Sequence, residues 1–189
     1  IVKDYNLDLR LTPNQDILLC NIPKNSKECI EEELTKVGYS NSEEINEMQR
    51  HALACPALPL CGLAMTEAER ILPEVLKRIE RLLKSLNIEK TILFRMTGCP
   101  NGCTRPYMAE LALVGSGQNK YQLWLGGSKN LLRLAKPFLQ RMELDNLENT
   151  IKPLLRYWKK HNIESDFGDF INAQEDSLIF DLLNEADKY

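Results

Sequence analysis

The sequence lacks any apolar run that approaches the ~20 residues needed for a membrane-spanning helix. It also lacks a secretory leader pattern, because residues 1–6 show no basic end followed by an apolar stretch. An excess of positive charge is missing as well: 24 Lys and Arg residues stand against 27 Asp and Glu residues, for a net charge of -3. We therefore expect no membrane partner and no nucleic-acid partner.

The chain has no initiator Met, no low-complexity tract and no internal repeat. Because it begins at Ile1, we expect it to be a piece of a longer protein. Its 189 residues suit one large domain or two small ones, and a hydrophobic fraction of 43% supports a packed core. The core therefore does not require disulfides, and metal or redox use is the better explanation for the six cysteines.

The first part of the chain predicts a small ββα unit. Alternating and apolar patterns indicate strands over 7–11 and 17–22, joined as a hairpin. Ser26 is the expected cap of a helix that ends at Gly38. We expect Cys20 and Cys29 to pack in the core of this unit, and a unit this small needs a partner surface for its sheet.

The rest of the chain predicts an α+β fold with a mixed or antiparallel sheet. Helical spacing of apolar residues indicates helices over 42–50, 66–86, 146–161 and 177–186. Ser42 is the expected cap of the first, and Thr66 with Glu69 matches a capping box for the second. Pro73 either kinks that second helix or marks a restart. Strands are expected over 91–97, 109–114 and 121–125, the last two joined as a hairpin.

Four cysteines lie in two turn-rich loops. Cys55 and Cys61 are separated by five residues, 37 residues follow, and Cys99 and Cys103 are separated by three. Pro and Gly in both loops allow the backbone to fold around a bound group, and ligands on tight loops are typical of metal clusters.

Three interpretations of these cysteines remain open. An iron–sulfur cluster is favoured, because its thiolate ligands must converge from loops. A zinc site with four cysteines is the main chemical rival, although zinc knuckles usually have two residues between ligands. Buried or free structural thiols are the third interpretation. Apolar neighbours, Leu58, Leu60, Leu63, Met65 and Met96, would give a cluster a dry surrounding that tunes its potential.

Two long blocks resemble the signatures of the sulfite and nitrite reductases, which carry sirohaem coupled to a 4Fe-4S cluster. The blocks are residues 54–70, ACPALPLCGLAMTEAER, and residues 95–110, RMTGCPNGCTRPYMAE. The resemblance extends to residues 167–170, FGDF. The loop between Cys55 and Cys61 is similar to the sulfite-reducing branch, and residues 104–110 resemble the ferredoxin-dependent enzymes more than the NADPH-dependent haemoprotein subunit.

The resemblance implies specific roles. Cys55, Cys61, Cys99 and Cys103 would bind the cluster, and Cys103 would also be the axial ligand of the sirohaem iron. Asn101 and Met65 match positions close to the sirohaem. The implied reaction is the six-electron reduction of sulfite to sulfide with electrons from ferredoxin, in the cytoplasm or, in a photosynthetic eukaryote, the plastid stroma. A nitrite-reducing enzyme and a non-enzymatic zinc module are the alternatives.

The chain departs from the family in length, since it resembles only the C-terminal half. Residues 1–40 would be a ferredoxin-like half-domain and residues 45–189 the cluster and sirohaem domain. The basic residues that bind sulfite belong to the N-terminal half in the family, so no catalytic residue is expected in this half. The N-terminal half is an expected partner, and the chain alone is expected to be inactive and to lack normal sirohaem binding. With half of its shelter missing, the 4Fe-4S cluster is also expected to be vulnerable to loss from the chain alone.

Two further groups have ordinary explanations. His51 precedes the first cysteine loop, where it could donate a hydrogen bond to the site, but a structural or solvated role is preferred. Residues 159–161, Lys-Lys-His, suit the negative end of a helix dipole, with ferredoxin docking as an unsupported alternative.

Overall fold

The computed structural model describes residues 1–14, 16–39 and 45–184, which divide into two units, Ile1–Arg50 and His51–Tyr189. In the first unit, strands β1 (Asp8–Leu11) and β2 (Ile17–Cys20) pair antiparallel, as the sequence predicts. The turn between them is held by the Thr12 hydroxyl, which accepts the Asp16 N–H at 3.1 Å. Helix α1 (Lys27–Lys36) follows, and Gly38 ends it with a φ of 92°.

Two expectations for the first unit are wrong. Ser26 precedes α1 but makes no capping hydrogen bond with its side chain. Cys29 is exposed and Cys20 is half-buried, so neither is a core residue. Ile30 is the buried residue of α1. Cys29 is its neighbour in the sequence and therefore lies on a different, exposed face of the helix.

Helix α2 (Glu47–His51) is shorter than predicted, and its expected cap at Ser42 lies outside the described residues.

The second unit contains the predicted mixed sheet, with five strands in the order β3-β4-β5-β6-β7. Strands β3 (Leu53–Ala54), β4 (Phe94–Thr97) and β5 (Leu111–Gly117) run parallel to one another. Strands β6 (Lys120–Leu125) and β7 (Lys136–Glu143) extend the sheet antiparallel. The sequence did not predict β3, which has two residues, or β7, whose side chains are mostly exposed and show no clean alternation.

The described part of the second unit also contains four α-helices: α3 (Leu72–Ser85), α4 (Leu147–Asn162), α5 (Phe167–Asn172) and α6 (Asp176–Asn184). Helix α4 contacts the other three and buries Trp158 against Phe167, with ring centroids 5.2 Å apart. In the described part of the chain, no helix combines the length and apolarity that crossing a bilayer requires.

Helix α3 begins six residues later than predicted, because the expected capping box does not form. The Thr66 hydroxyl donates to the Tyr121 hydroxyl at 3.0 Å and does not cap a helix. Pro73 lies in the first turn of α3, where a missing backbone N–H costs nothing. It therefore marks the start of the helix and does not kink it.

A buried carboxylate joins the sheet to α5. Glu110 is fully buried, and its two oxygens accept the N–H groups of Leu93 and Gly168, each at 2.8 Å. Burial raises the pKa of Glu110 above its ordinary value, and these two hydrogen bonds only partly offset that effect. The folded chain therefore binds a proton at this carboxyl more readily than the unfolded chain does.

We predict that the Glu110 carboxyl makes stability fall as pH rises. Its contribution is fully present below the unfolded pKa of about 4.3 and is lost as pH rises through the higher folded value. Glu110→Gln should remove this part of the pH dependence, since an amide does not ionise. The measurement is the free energy of unfolding by urea between about pH 5 and about pH 8. An unchanged slope in the variant would contradict the assignment.

Glu148→Gln is the matched control with the opposite sign. The Arg78 guanidinium, whose Nε donates to Glu148 at 2.6 Å, holds the pKa of the Glu148 carboxyl below its ordinary value. Its stabilising contribution is therefore present at neutral pH and lost as pH falls through the folded pKa. This substitution should lower stability near pH 7 and have little effect in acid.

Candidate metal centre

Both cysteine loops leave the same edge of the sheet. Cys55 directly follows β3, and Cys99 lies two residues after β4. These two strands are parallel neighbours, with Ala54 opposite Met96, so their carboxyl ends lie side by side. The fold therefore brings together two loops that are 37 residues apart in the sequence.

The first loop is held in a compact conformation by its own backbone. The Cys61 N–H donates to the Ala57 carbonyl at 2.7 Å, and the Ala64 N–H donates to the Cys61 carbonyl at 3.1 Å. Ala57 has a φ of 51°, and the Leu58–Pro59 peptide bond is cis. The Glu69 N–H donates to the Cys55 carbonyl at 3.0 Å, which closes the loop on itself.

The second loop is fixed by side chains. The Thr97 hydroxyl donates to the Cys99 carbonyl at 3.0 Å, and the Thr104 hydroxyl donates to the Met96 carbonyl at 3.1 Å. The Tyr107 hydroxyl donates to the Pro100 carbonyl at 2.6 Å. These bonds tie both ends of the loop and its middle to the chain on either side.

The two loops are joined through Gly98. Its N–H donates to the Cys55 sulfur at 3.3 Å, and its carbonyl accepts the Met65 N–H at 2.8 Å. A Cβ at position 98 would lie 2.6 Å from the Ala57 Cβ, and one at Gly115 would lie 2.2 Å from the Gly98 carbonyl oxygen. Only glycine fits at these two crossings, so the approach of the loops depends on both residues.

The four sulfurs differ in exposure. Cys55 and Cys99 are 8% and 7% exposed, Cys61 is half-buried and Cys103 is exposed, and all four are free thiols. Among the described residues, no group of three or more cysteine, histidine or acidic side chains is already arranged to hold a metal ion. The structure thus brings the loops together without closing the four sulfurs into one ligand set.

The residues present nevertheless fit an iron–sulfur cluster. Soft thiolate donors suit the iron atoms of such a cluster, and a backbone N–H that already donates to a cysteine sulfur is the kind of bond that tunes its potential. The two ligand loops also leave the same edge of the sheet, so their thiols can converge on one bound group. This chemistry also allows zinc, so the donor set alone does not select the metal.

The other predicted site residues take different positions. Met65 is held next to the second loop by its backbone bond to Gly98, with a half-exposed side chain, and Asn101 is exposed. His51 is exposed at the end of α2. At the end of α4, Lys159 donates to the Leu86 carbonyl at 2.6 Å, and the His161 ring stacks on Tyr157 with centroids 3.9 Å apart.

Sequence reasoning missed Arg95, which it treated as part of an apolar strand. Arg95 is 1% exposed, and its Nη1 donates to the carbonyls of Thr104 and Arg105, each at 3.3 Å. Burial lowers the pKa of the Arg95 guanidinium to about 10, and the charge of Arg105 acts in the same direction. The sequence did contain a signal for this residue, because Arg95 is a charged residue in the middle of a strand whose other residues are buried.

An apolar pocket adjoins the second loop. It has a volume of about 420 Å³, and the Tyr107 and Trp124 rings in its wall have centroids 4.5 Å apart. Its lining also includes Gly102, Arg105, Met108, Leu134 and Ala135. Gly102, which precedes Cys103 in the sequence, contributes to this lining, so the pocket lies against the second loop.

Comparisons with known proteins identify relatives over nearly the whole chain. No family model matches it. It is 46% identical over 187 residues to a protein of Synechococcus elongatus described as sulfite reductase (ferredoxin). The aligned region covers 98% of this chain and 29% of that protein. It is 39% identical over 173 residues to the sulfite reductase (NADPH) hemoprotein beta-component of Oceanobacillus iheyensis, covering 90% of this chain and 30% of that protein.

A solved structure has a similar fold. The Mycobacterium tuberculosis NirA protein aligns with a TM-score of 0.73 at 21% identity, over 94% of this chain and 35% of that one. At this identity the likeness concerns the fold alone. The chain thus spans less than a third of the length of both relatives described above.

We predict that adding one methyl group at the loop crossing separates the two loops. Gly98→Ala or Gly115→Ala should lower the free energy of unfolding by about 1–3 kcal/mol, because backbone and Cβ atoms must move apart. The thiols of Cys55 and Cys99 should then react faster with a thiol reagent under native conditions. Chemical denaturation and timed thiol labelling measure the two effects.

Gly62→Ala is the control within the first loop, since a Cβ there meets nothing within 4 Å. It should change stability by no more than about 0.5 kcal/mol and leave thiol reactivity unchanged. Equal effects of Gly62→Ala and Gly98→Ala on stability and thiol reactivity would show that steric crowding at the loop crossing is not the cause.

Proposed function

We propose that this chain, a homologue of part of the sulfite reductases, is the cluster-carrying C-terminal portion of a ferredoxin-dependent sulfite reductase. The observation that carries the proposal is the pairing of two cysteine loops at one edge of the sheet through Gly98. The 46% identity to a ferredoxin-type relative, against 39% to an NADPH-type one, favours ferredoxin as the electron donor.

Under this proposal, Cys55, Cys61, Cys99 and Cys103 would hold a 4Fe-4S cluster, and Cys103 would also serve the sirohaem. These groups supply electron storage and a binding site for sulfite when they are bound. The exposure of the four cysteines supports the division of roles, because Cys99 is buried and Cys103 is exposed. Asn101, in the same loop, and Met65, beside it, would lie near the sirohaem.

The chain's own residues prepare this site in three ways. The Gly98 N–H donates to the Cys55 sulfur, which fixes the position of this sulfur beside the second loop. Burial of Cys55 and Cys99 excludes water from two ligands. The Thr97 and Thr104 hydroxyls hold the backbone of the second loop, so that both of its cysteines keep their direction.

The remainder of the enzyme would supply the rest of the active site. Because the chain covers 29% of the ferredoxin-type relative, most of such a protein lies outside it. We propose that the N-terminal half is the structural partner, ferredoxin the electron donor and sulfite the substrate, in the cytoplasm or the plastid stroma. The 1–40 half-domain and the 45–189 cluster domain remain part of this proposal.

We predict that the chain takes up about four iron and about four acid-labile sulfide per molecule when it is reconstituted without air. Cys99→Ser should lose most of this uptake, because it removes one ligand from the joined loops. Cys29→Ser is the control, since Cys29 is an exposed thiol of the first unit. One zinc per chain and no sulfide would instead support a non-enzymatic zinc module.

We also predict that the chain alone produces no sulfide from sulfite in an assay with a chemical electron donor. The expected reason is that, as the family resemblance implies, the sulfite-binding basic residues belong to the part of the enzyme outside this chain. Activity should appear when the N-terminal half is expressed in the same chain. Sirohaem absorption bands and sulfide formation by the isolated chain would refute the need for that half, and a higher kcat/KM for nitrite in the joined enzyme would favour the nitrite-reducing alternative.

A further inference from the structure

Arg95 is a charged side chain in the interior of the sheet. It lies in β4 between Phe94 and Met96, both fully buried, and β3 and β5 flank its strand on either side. Its own exposure is 1%. An arginine is almost never buried to this extent unless an anion or a full set of hydrogen-bond acceptors compensates for the lost hydration.

The structure gives the Arg95 guanidinium only a few, long hydrogen bonds. Two carbonyl oxygens accept from Nη1 at 3.3 Å, and the Nε atom has no hydrogen-bond partner. Within the described residues, no carboxylate forms an ion pair with Arg95. The nearby charged group that acts on it is Arg105, which has the same sign. By itself, this arrangement destabilises the folded chain.

The position of Arg95 relates it to the cysteine loops. The two carbonyls it binds belong to Thr104 and Arg105, the residues directly after Cys103. Its own strand leads into Cys99, and the β3 residue opposite it, Leu53, is two residues before Cys55. An anionic group held by these loops would therefore form close to the buried guanidinium.

We propose that Arg95 is a positioning residue whose buried positive charge offsets the negative charge of a four-thiolate centre and orients the backbone after Cys103. This inference rests on the proposed function, because it needs an anionic centre at the four cysteines. Four thiolates leave a 4Fe-4S centre with net negative charge, and net charge is one of the factors that set the potential of such clusters. A fixed cation that is itself buried favours the reduced state, which carries one more electron.

The first test uses the metal-free chain, kept reduced and treated with a chelator. Arg95→Met removes the charge but keeps an unbranched apolar side chain, and it should raise the thermal midpoint by about 2–4 °C. A lower midpoint would mean that the hydrogen bonds to the loop carbonyls outweigh the cost of the buried charge, and this would overturn the claim that the charge needs an anionic centre beside it. Arg156→Met, at an exposed position of α4, is the control and should leave the midpoint unchanged.

The second test uses the full chain reconstituted with iron and sulfide. Arg95→Met should lower the midpoint potential of the cluster in a redox titration by about 59 mV, equivalent to a tenfold shift of a one-electron equilibrium. Arg95→Lys keeps the charge and should stay close to the wild type. Equal potentials in the wild type and Arg95→Met would overturn the role of Arg95 alone, whereas a wild type that takes up no iron would contradict the proposed function and this inference with it.

Discussion

The backbone crossing at Gly98 is the contact on which the candidate centre depends. One peptide unit donates to the Cys55 sulfur, and the carbonyl of the same residue accepts from Met65, so both loops are tied to a single point. Gly115 approaches the same carbonyl from the neighbouring strand. A side chain at either position would occupy space already filled by backbone, and steric exclusion therefore sets the separation of the loops more strictly than any hydrogen bond does.

The sheet makes this crossing possible because β3, β4 and β5 are parallel. Their carboxyl ends share one edge, where loops from distant parts of the sequence can meet. Glu110 and Arg95 are two buried ionisable side chains in or beside these strands. Their polar atoms differ in how completely they are hydrogen-bonded. Glu110 accepts two backbone N–H groups at 2.8 Å, whereas Arg95 keeps an Nε without a partner. The first is a structural connection within the fold, and the second is the observation behind the proposed role of Arg95 beside the cysteine loops.

Much of the fold was predictable from local patterns. The hairpin of β1 and β2, the helix α4 and the hairpin of β5 and β6 follow from alternation, helical spacing and turn residues. The strand β7 was not predictable, because its side chains are mostly exposed and its pairing partner β6 decides its conformation. The start of α3 was misplaced for a similar reason, since Thr66 bonds to Tyr121, 55 residues further along the chain.

The sequence by itself determined which residues form the candidate centre: four cysteines in two loops rich in Pro and Gly, within blocks that resemble the sulfite and nitrite reductases. Residue type and spacing carry that information, because ligand chemistry and turn formation are local properties. Only the tertiary structure decided that Cys55 and Cys99 are buried while Cys103 is exposed, and that Arg95 lies beneath the second loop. Burial and electrostatic environment depend on strands that are far apart in the sequence, so no local pattern encodes them.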